Sequence, residues 1–405
     1  MSLRGAAAVV GVAELRPTRW TQDETTIGMF TQVGLAAIED AGLQLSDIDG
    51  LIAHPMAGVP MLVPSTLIES MGLRCSYAAT VDLGGATGAA MVWRAAAAIA
   101  AGQANAVLCV TASRRKQRNR PAAGERTRSA GSGTAGVGGK DLSAWGEFEV
   151  PFGNVGANIG YAMIAQRYLH EQQVTPEQLA KIAVHQRDNA CVNPDAWFYG
   201  QPITVQDVLA SPVVADPLHL LEIVMPSAGG AALVVVSAEL ARSLEPSLGR
   251  PAAWLLGAGE CCTHKTVTYA PSLMDTAIKP AADRAFNQAG VTRQQIGLAS
   301  LYDCYTITVL VTLEEAGFCP RGGGGAFVEE RDLRWNGDFP LNTHGGQLSF
   351  SQPGLAGGMS HVTEAVRQVQ QRSGPRQVAD LNFAFVNGNG GIMSEECALV
   401  FGVEP

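Results

Sequence analysis

The chain repeats itself, and this repeat limits what it can fold into more than any other feature. AAIEDAGLQLSDIDGLIAH (Ala36 to His54) and RAFNQAGVTRQQIGLASLYD (Arg284 to Asp303) each close a helix at Ala-Gly, place an Ile six residues after that Gly, and continue into a short apolar strand. Glycine ends helices this way because it adopts the left-handed conformation without a Cβ penalty. Further on, a helix from Gly85 to Ala101 leads through a polar turn into the strand Ala106 to Thr111, while Gly358 to Gln370 leads through Gly374-Pro375 into Leu381 to Val386. Ala231 to Ser237 and Ala398 to Gly402 supply a last apolar strand in each copy. Helices alternating with short buried strands, duplicated in this manner, predict two copies of a layered α/β unit, 1–250 and 251–405. The small residues Ala95 to Ala98 permit close approach from both sides, so the helices Gly85 to Ala101 and Gly358 to Gln370 are expected between the sheets.

The copies differ by an insert. The second joins its last matched strands through Asn387 to Cys397, whereas the first carries the long stretch Ala112 to Gly230. That insert holds a basic loop (Arg114, Arg115, Lys116, Arg118, Arg120, Arg126, Arg128), a Gly/Ser-rich run, and helices around Ala157 to Gln172 and Pro176 to Asn189. It reads as a loop sub-domain of about 112–230 lying over a site.

Composition narrows the function classes. A formal charge of −9 disfavours nucleic acid as the main partner, because phosphate backbones reward a basic face. The eight cysteines include no CxxC pair, which fits neither a metal site nor a disulfide framework and points to a reducing cytoplasm. The N-terminal run is broken by Gly11 and Glu14, so it reads as a buried strand rather than a signal peptide. No apolar run approaches the roughly 18 residues of a membrane span.

Chemistry collects in the stretch Leu341 to His361, LNTHGGQLSFSQPGLAGGMSH, with the pairs Gly345-Gly346 and Gly357-Gly358 around His344 and Gln352. Such glycine density reads as backbone facing a ligand. Tyr302-Asp303-Cys304-Tyr305 follows a strand and precedes a helix, which places Tyr302 where open α/β sheets collect ligands. The His344 loop and an Asn387-Gly388-Asn389-Gly390-Gly391 loop take comparable places. Gly84-Gly85-Ala86-Thr87-Gly88 opens a helix, yet no Gly-Lys-Ser/Thr or GxGxxG pattern makes a phosphate loop.

Together, the duplication, the insert, Asp303-Cys304-Tyr305 before a helix, Asn342-x-x-Gly345-Gly346 with Leu348-Ser349 and Pro353, and Gly388-x-Gly390-Gly391 resemble the thiolase superfamily, specifically its sterol-carrier-protein type. The resemblance covers essentially the whole chain. It implies a five-layered αβαβα fold, usually a homodimer, acting on acyl-CoA thioesters, with coenzyme A part of the substrate and no bound cofactor or metal. Ala106 to Thr111 is the candidate pairing strand of that dimer.

The departures redirect the chemistry. Aligned through Thr87-Gly88, the position of the family's nucleophilic Cys is Gly85; its His-Asp-Cys-Phe motif stands here as Tyr302-Asp303-Cys304-Tyr305; its Gly-His-Pro motif is Ser351-Gln352-Pro353; Asn387 stands where many members hold a second Cys. Covalent acyl transfer through Cys cannot run without that thiol. The chain is similar to the thiolase-like aldolases of steroid side-chain breakdown, which also lack the Cys-His set, use Tyr for the His, and work with an OB-fold, zinc-ribbon partner protein. That group uses a further Tyr in the Gly-His-Pro region, where Gln352 stands here.

The resemblance thus implies retro-aldol cleavage of a β-hydroxyacyl-CoA, against two alternatives: a non-catalytic subunit that binds acyl-CoA for a partner, and an atypical acyltransferase. Tyr302, with Asp303 beside it, is the candidate proton carrier, serving as base at neutral pH only if neighbours lower its ordinary value of about 10. His344 is either a second proton carrier or a packed structural residue. Gly345, Gly346, Gln352 and Asn387 are expected to line the substrate, N–H groups of Gly390, Gly391 or the Gly85 helix start to meet an enolate oxygen, and the missing side chain at Gly85 to leave room for a bulky acyl chain. The basic loop Arg114 to Arg128 either attracts coenzyme A phosphates or is simply solvated.

Overall fold

The computed structural model describes residues 3–117 and 143–405. The first copy runs β1 (Ala7–Thr18), α1 (Thr26–Asp40), β2 (Gly50–Ala53), α2 (Val63–Met71), β3 (Tyr77–Thr80), α3 (Thr87–Ala100) and β4 (Ala106–Ser113). The insert follows as α4 (Ala157–Gln172), α5 (Pro176–Cys191), α6 (Val205–Ala210), β5 (Val213–Ala215) and β6 (Leu218–His219), before β7 (Ala228–Ser237) and α7 (Ala238–Leu248) close the copy. The second comprises β8 (Ala253–Cys262), α8 (Ile278–Ala289), β9 (Leu298–Leu301), α9 (Thr306–Glu315), α10 (Gly324–Glu330), α11 (Gly346–Ser349), α12 (Met359–Val369), β10 (Phe383–Gly390) and β11 (Glu395–Gly402).

The strand order β3-β2-β4-β7-β1-β8-β11-β10-β9 displays the duplication directly, since each side of the β1/β8 seam repeats the same order of matched strands. The parallel bridge from Leu341 to Ala299 of β9 mirrors the place of β3 beside β2. At the seam only Ala8↔Trp254 and Val9↔Ala253 pair. The sheet therefore folds there, and both halves face the same pair of helices: α3 packs on β4 and β7 but also on β10 and β11, and α12 on β1 and β7 as well as β9 and β10. Alternation along β1 sorts the two layers of core, with Ala7 and Val9 turned to α3 and α12 while Ala8 and Val10 meet the outer helices. With α1 outside one half and α8 outside the other, the layers are αβαβα, and α3 and α12 lie between the sheets as expected.

Several details differ from the sequence reading. The segment Asn387 to Gly390 is not a loop: it continues β10, paired with β11 from Asn387↔Ala398 to Gly390↔Glu395. Its glycines are needed for close packing, since a Cβ on Gly390 would lie 2.0 Å from the Leu83 carbonyl oxygen. Nor is Ala106 to Thr111 a free edge, because β4 has β2 on one side and β7 on the other. The outermost strands of the nine-stranded sheet are β3 and β9, the latter bridged on its outer side by Leu341. Of the basic loop, Arg118, Arg120, Arg126 and Arg128 lie outside the described residues. No helix among those described is long and apolar enough to cross a membrane. The insert packs through α5 on α9, α10 and α11, and through α4 on α9.

Candidate active site

Tyr302 follows the last residue of β9, with its N–H bonded to the Asn387 carbonyl of neighbouring β10 (3.0 Å). Thr308 in the first turn of α9 donates to the carbonyls of Tyr302 (2.9 Å) and Tyr305 (2.6 Å), which fixes the bend from strand to helix. The side chain is thereby driven inward against the start of α3. A Cβ on Gly85 would lie 2.2 Å from the Tyr302 ring carbon Cζ and 2.3 Å from the Asn389 carbonyl oxygen. The room expected at Gly85 does not exist, because the phenol ring fills it.

The Tyr302 hydroxyl meets the Gln352 amide, whose Nε2 lies 3.4 Å away. Gln352 is held in turn by the strand returning from the insert: its N–H donates to Ser227 Oγ and its carbonyl accepts from Ser227 N, both at 3.0 Å. Burial, with the Cys304 thiol next to it, pushes the Tyr302 phenol well above its ordinary range. The condition for a tyrosinate base at neutral pH is therefore not met, and the group stands as a proton-bearing phenol.

Asp303 is fully buried and its oxygens are occupied. Oδ1 accepts from Gln347 N (2.7 Å) and lies 3.2 Å from His361 Nε2; Oδ2 accepts from Leu348 N (3.3 Å). This explains Gly345 and Gly346. With φ of +111° and +61° they turn the chain so that those N–H groups point at the carboxylate, and a Cβ on Gly346 would lie 2.0 Å from Asp303 Oδ2. The glycine pair thus serves Asp303 directly.

His344 is buried in its loop. It is 2% exposed, with Nε2 3.3 Å from Ser360 Oγ, its ring perpendicular to that of His361 at 5.2 Å, and its carbonyl accepting from Asn193 of the insert (2.9 Å). Burial first, then the adjacent His361, hold its imidazole well below the usual histidine range, so it is neutral. Asn387 turns its side chain to Glu396 (Nδ2 to Oε2, 2.8 Å), and burial raises that carboxyl well above the ordinary range against the Asn387 bond. Gly391 accepts from Tyr161 of α4 through its carbonyl (3.2 Å).

Sequence reasoning missed His361, Gln347, Tyr161 and Glu396. Tyr161 stacks on Tyr305 (ring centroids 4.3 Å apart) and accepts from Asn389 Nδ2 (3.2 Å), joining the insert to the strand ends. A tyrosine inside an ordinary helix carries no signal that it meets a strand more than two hundred residues away. Cys304 is buried in the same cluster, and burial pushes its thiol well up, away from the thiolate form that a nucleophile needs. Among the described residues no group of three His, Cys, Asp or Glu side chains is placed to hold a metal ion.

A family model described as thiolase C-terminal domain-like matches residues 259–403. Over 396 residues the chain is 34% identical to the steroid side-chain-cleaving aldolase of Thermomonospora curvata, covering 96% of each. It is 30% identical over 396 residues to the 17-hydroxy-3-oxo-4-pregnene-20-carboxyl-CoA lyase of Mycobacterium tuberculosis, covering 96% of this chain and 98% of that one. The solved Ltp2-ChsH2(DUF35) aldolase matches with a TM-score of 0.86 at 32% identity, over 99% of this chain and 98% of that one. The chain therefore belongs to the thiolase superfamily. Within it, the chain is a member of the thiolase-like aldolases, which are lyases.

Proposed function

We propose that this protein cleaves the Cα–Cβ bond of a β-hydroxyacyl-CoA by a retro-aldol reaction that has no acyl-enzyme stage. The observation that carries this reading is the Tyr302 ring in the space beside Gly85, which puts a phenol where the superfamily's thiol would work. Burial keeps that phenol protonated, and this suits a cyclic proton exchange. Tyr302 gives its proton to Cα as the Cα–Cβ bond breaks, and its oxygen takes the proton of the β-hydroxyl in the same event. The hydroxyl carbon leaves as a carbonyl compound, Cα becomes the methylene or methyl group of the shortened thioester, and Tyr302 ends as it began. Well-placed proton transfer of this kind is worth roughly 10²–10⁴ in rate.

Gln352 orients the hydroxyl, Asp303 anchors the Gly345–Gly346 turn, and His344 takes the structural one of its two expected roles. Asn387, Gly390 and Gly391 shape the wall beside Tyr302 rather than a free donor loop. Coenzyme A enters as part of the substrate. Arg115 donates to the Pro226 carbonyl (2.7 Å), and Pro226 bridges Gln352, so Arg114 and Arg115 stand on the approach to the site and are suited to its phosphates. The two halves, 1–250 and 251–405, act as one body in a cytoplasmic homodimer, working with a DUF35 partner of OB-fold and zinc-ribbon type as the solved aldolase does with ChsH2.

The test is an assay of purified protein, alone and with a co-expressed DUF35 protein, on 17-hydroxy-3-oxo-4-pregnene-20-carboxyl-CoA and on a β-ketoacyl-CoA with free coenzyme A. Carbonyl product from the first only is expected. Thiolysis of the second, with the first untouched, would overturn the reading.

A further inference from the structure

His361 lies in the first turn of α12, fully buried, and the reaction as described gives it no task. Its surroundings are too specific for packing alone. Nδ1 lies 3.1 Å from Ser300 Oγ, and Nε2 lies 3.2 Å from both Asp303 Oδ1 and the Gln347 side-chain amide. Its ring centroid is 5.9 Å from that of Tyr302. Gln347 is held at both ends, by its backbone N–H on Asp303 (2.7 Å) and by its amide on His361, while Gln352 Nε2 lies 3.4 Å from the Tyr302 hydroxyl.

Hydrogen-bond polarity decides what this arrangement does. A carboxylate oxygen beside Nε2 is favourable only if Nε2 carries a proton, and a protonated Nε2 then requires the oxygen end of the Gln347 amide. Gln347 Oε1 and Gln352 Oε1 are both buried without partners when the amide nitrogen faces His361. They also crowd one point, lying 2.6 Å and 1.8 Å from where a Cβ on Gly357 would sit. Which end of an amide faces a partner follows from its hydrogen-bond network. Turning the Gln347 amide over lets Oε1 accept from His361 and sends the NH₂ towards Gln352 Oε1. Orphaned buried acceptors are costly, so satisfying both at once decides the orientation. With its Oε1 engaged in this way, Gln352 donates through Nε2 to the Tyr302 oxygen, whose own O–H is left free to point at substrate.

We propose that His361 is a positioning residue for the cleavage: through Gln347 it fixes the direction in which the Tyr302 hydroxyl presents its proton. This rests on the aldolase reading, so the test has one arm that needs activity and one that does not. His361→Leu lowers kcat on 17-hydroxy-3-oxo-4-pregnene-20-carboxyl-CoA by about 10–100-fold with KM changed less than about twofold, as misdirected catalytic groups do. His361→Gln, which can replace the donor to Gln347, recovers most of it. In a Tyr302→Phe background His361→Leu changes kcat less than about twofold, because there is no hydroxyl left to aim. Equal losses in both backgrounds, or a loss expressed in KM, overturn the proposal. The second arm labels tyrosine at ¹³Cζ, identifies the Tyr302 resonance by its disappearance in Tyr302→Phe, and follows it in His361→Gln and His361→Leu. A shifted resonance in His361→Leu that moves back in His361→Gln is expected; an unmoved one overturns the proposal. Should the parent cleave no β-hydroxyacyl-CoA, the aldolase reading fails by itself, and the resonance still judges the positioning claim.

Discussion

The helices α3 and α12 occupy matched places between the sheets, yet they are opposites in chemistry. On α3 the only buried polar side chain is Thr87, and the rest of its buried face is Gly88, Ala89, Ala90, Met91, Val92, Ala95, Ala96, Ala98 and Ile99. On α12 Ser360, His361, Thr363, Glu364 and Gln368 are all buried. Each has partners: Glu364 alone accepts from Thr343 (2.6 Å), Gln368 (3.0 Å) and Arg376 (2.9 Å). The duplication sets two equivalent helix starts beside the Tyr302 ring, with Gly85 before the first and Gly358 before the second. A helix that only packs needs small apolar residues; a helix that orients reacting groups needs buried polar ones, and every one of these must then be satisfied.

The largest blow to this division is Tyr302→Phe, which removes one hydroxyl between the two helix starts. A fall in kcat of about 10³, roughly 4 kcal/mol, is expected with folding intact, read by carbonyl product release. Next is Arg376→Met. It leaves the Glu364 carboxylate buried and unpaired, with an expected loss of about 3–5 kcal/mol in urea unfolding. Burial alone would raise Glu364, but the Arg376 charge and the hydrogen bonds overcome it and hold the carboxyl down at about 2. Its folded value lies below its unfolded value of about 4.5, so the stabilisation is complete above that pH and is lost as pH falls towards 2. Arg376→Met should lose this acid-side slope as well as stability.

On the apolar partner, Gly85→Ala sharpens the comparison, since the added methyl must displace the Tyr302 ring. About 1–3 kcal/mol of destabilisation is expected, with kcat falling in step because the phenol moves. The smallest effect concerns His344. Its imidazole is held neutral, with a folded value below the unfolded one of 6.5, so the unfolded chain binds more protons below pH 6.5 and stability declines as pH drops through that point. His344→Gln should flatten the decline between pH 6.5 and 5 in thermal melts, while leaving kcat at neutral pH within about threefold of the parent.

What the sequence disclosed follows the range of its signals. The Ala-Gly helix ends at Gly42 and Gly290 and the Ile after each are local, and they revealed the duplication and the layered fold. Tyr302, Asp303 and Gln352 were visible because motifs mark strand ends and glycine turns. The edge assignment of β4 failed because its second neighbour, β7, arrives only after the whole insert. Asn387 to Gly390 looked like a loop because glycine usually breaks strands, whereas here a long pairing with β11 holds the strand together and the α3 start demands small residues. His361 and Gln347 left no trace, since a lone His within a helix and a Gln beside a turn acquire meaning only once Asp303 and Tyr302 are folded against them.

The ring beside Gly85 also bears on how such a chain can change over time. A thiol cannot be placed at position 85 while Tyr302 stays where it is, and replacing Tyr302 first removes its hydroxyl. On the mechanism proposed above, each single step towards a cysteine at position 85 gives a protein that is either overpacked or without its proton carrier. A side chain at position 85 and the Tyr302 ring thus exclude each other sterically, although the glycine and the tyrosine stand more than two hundred residues apart in sequence.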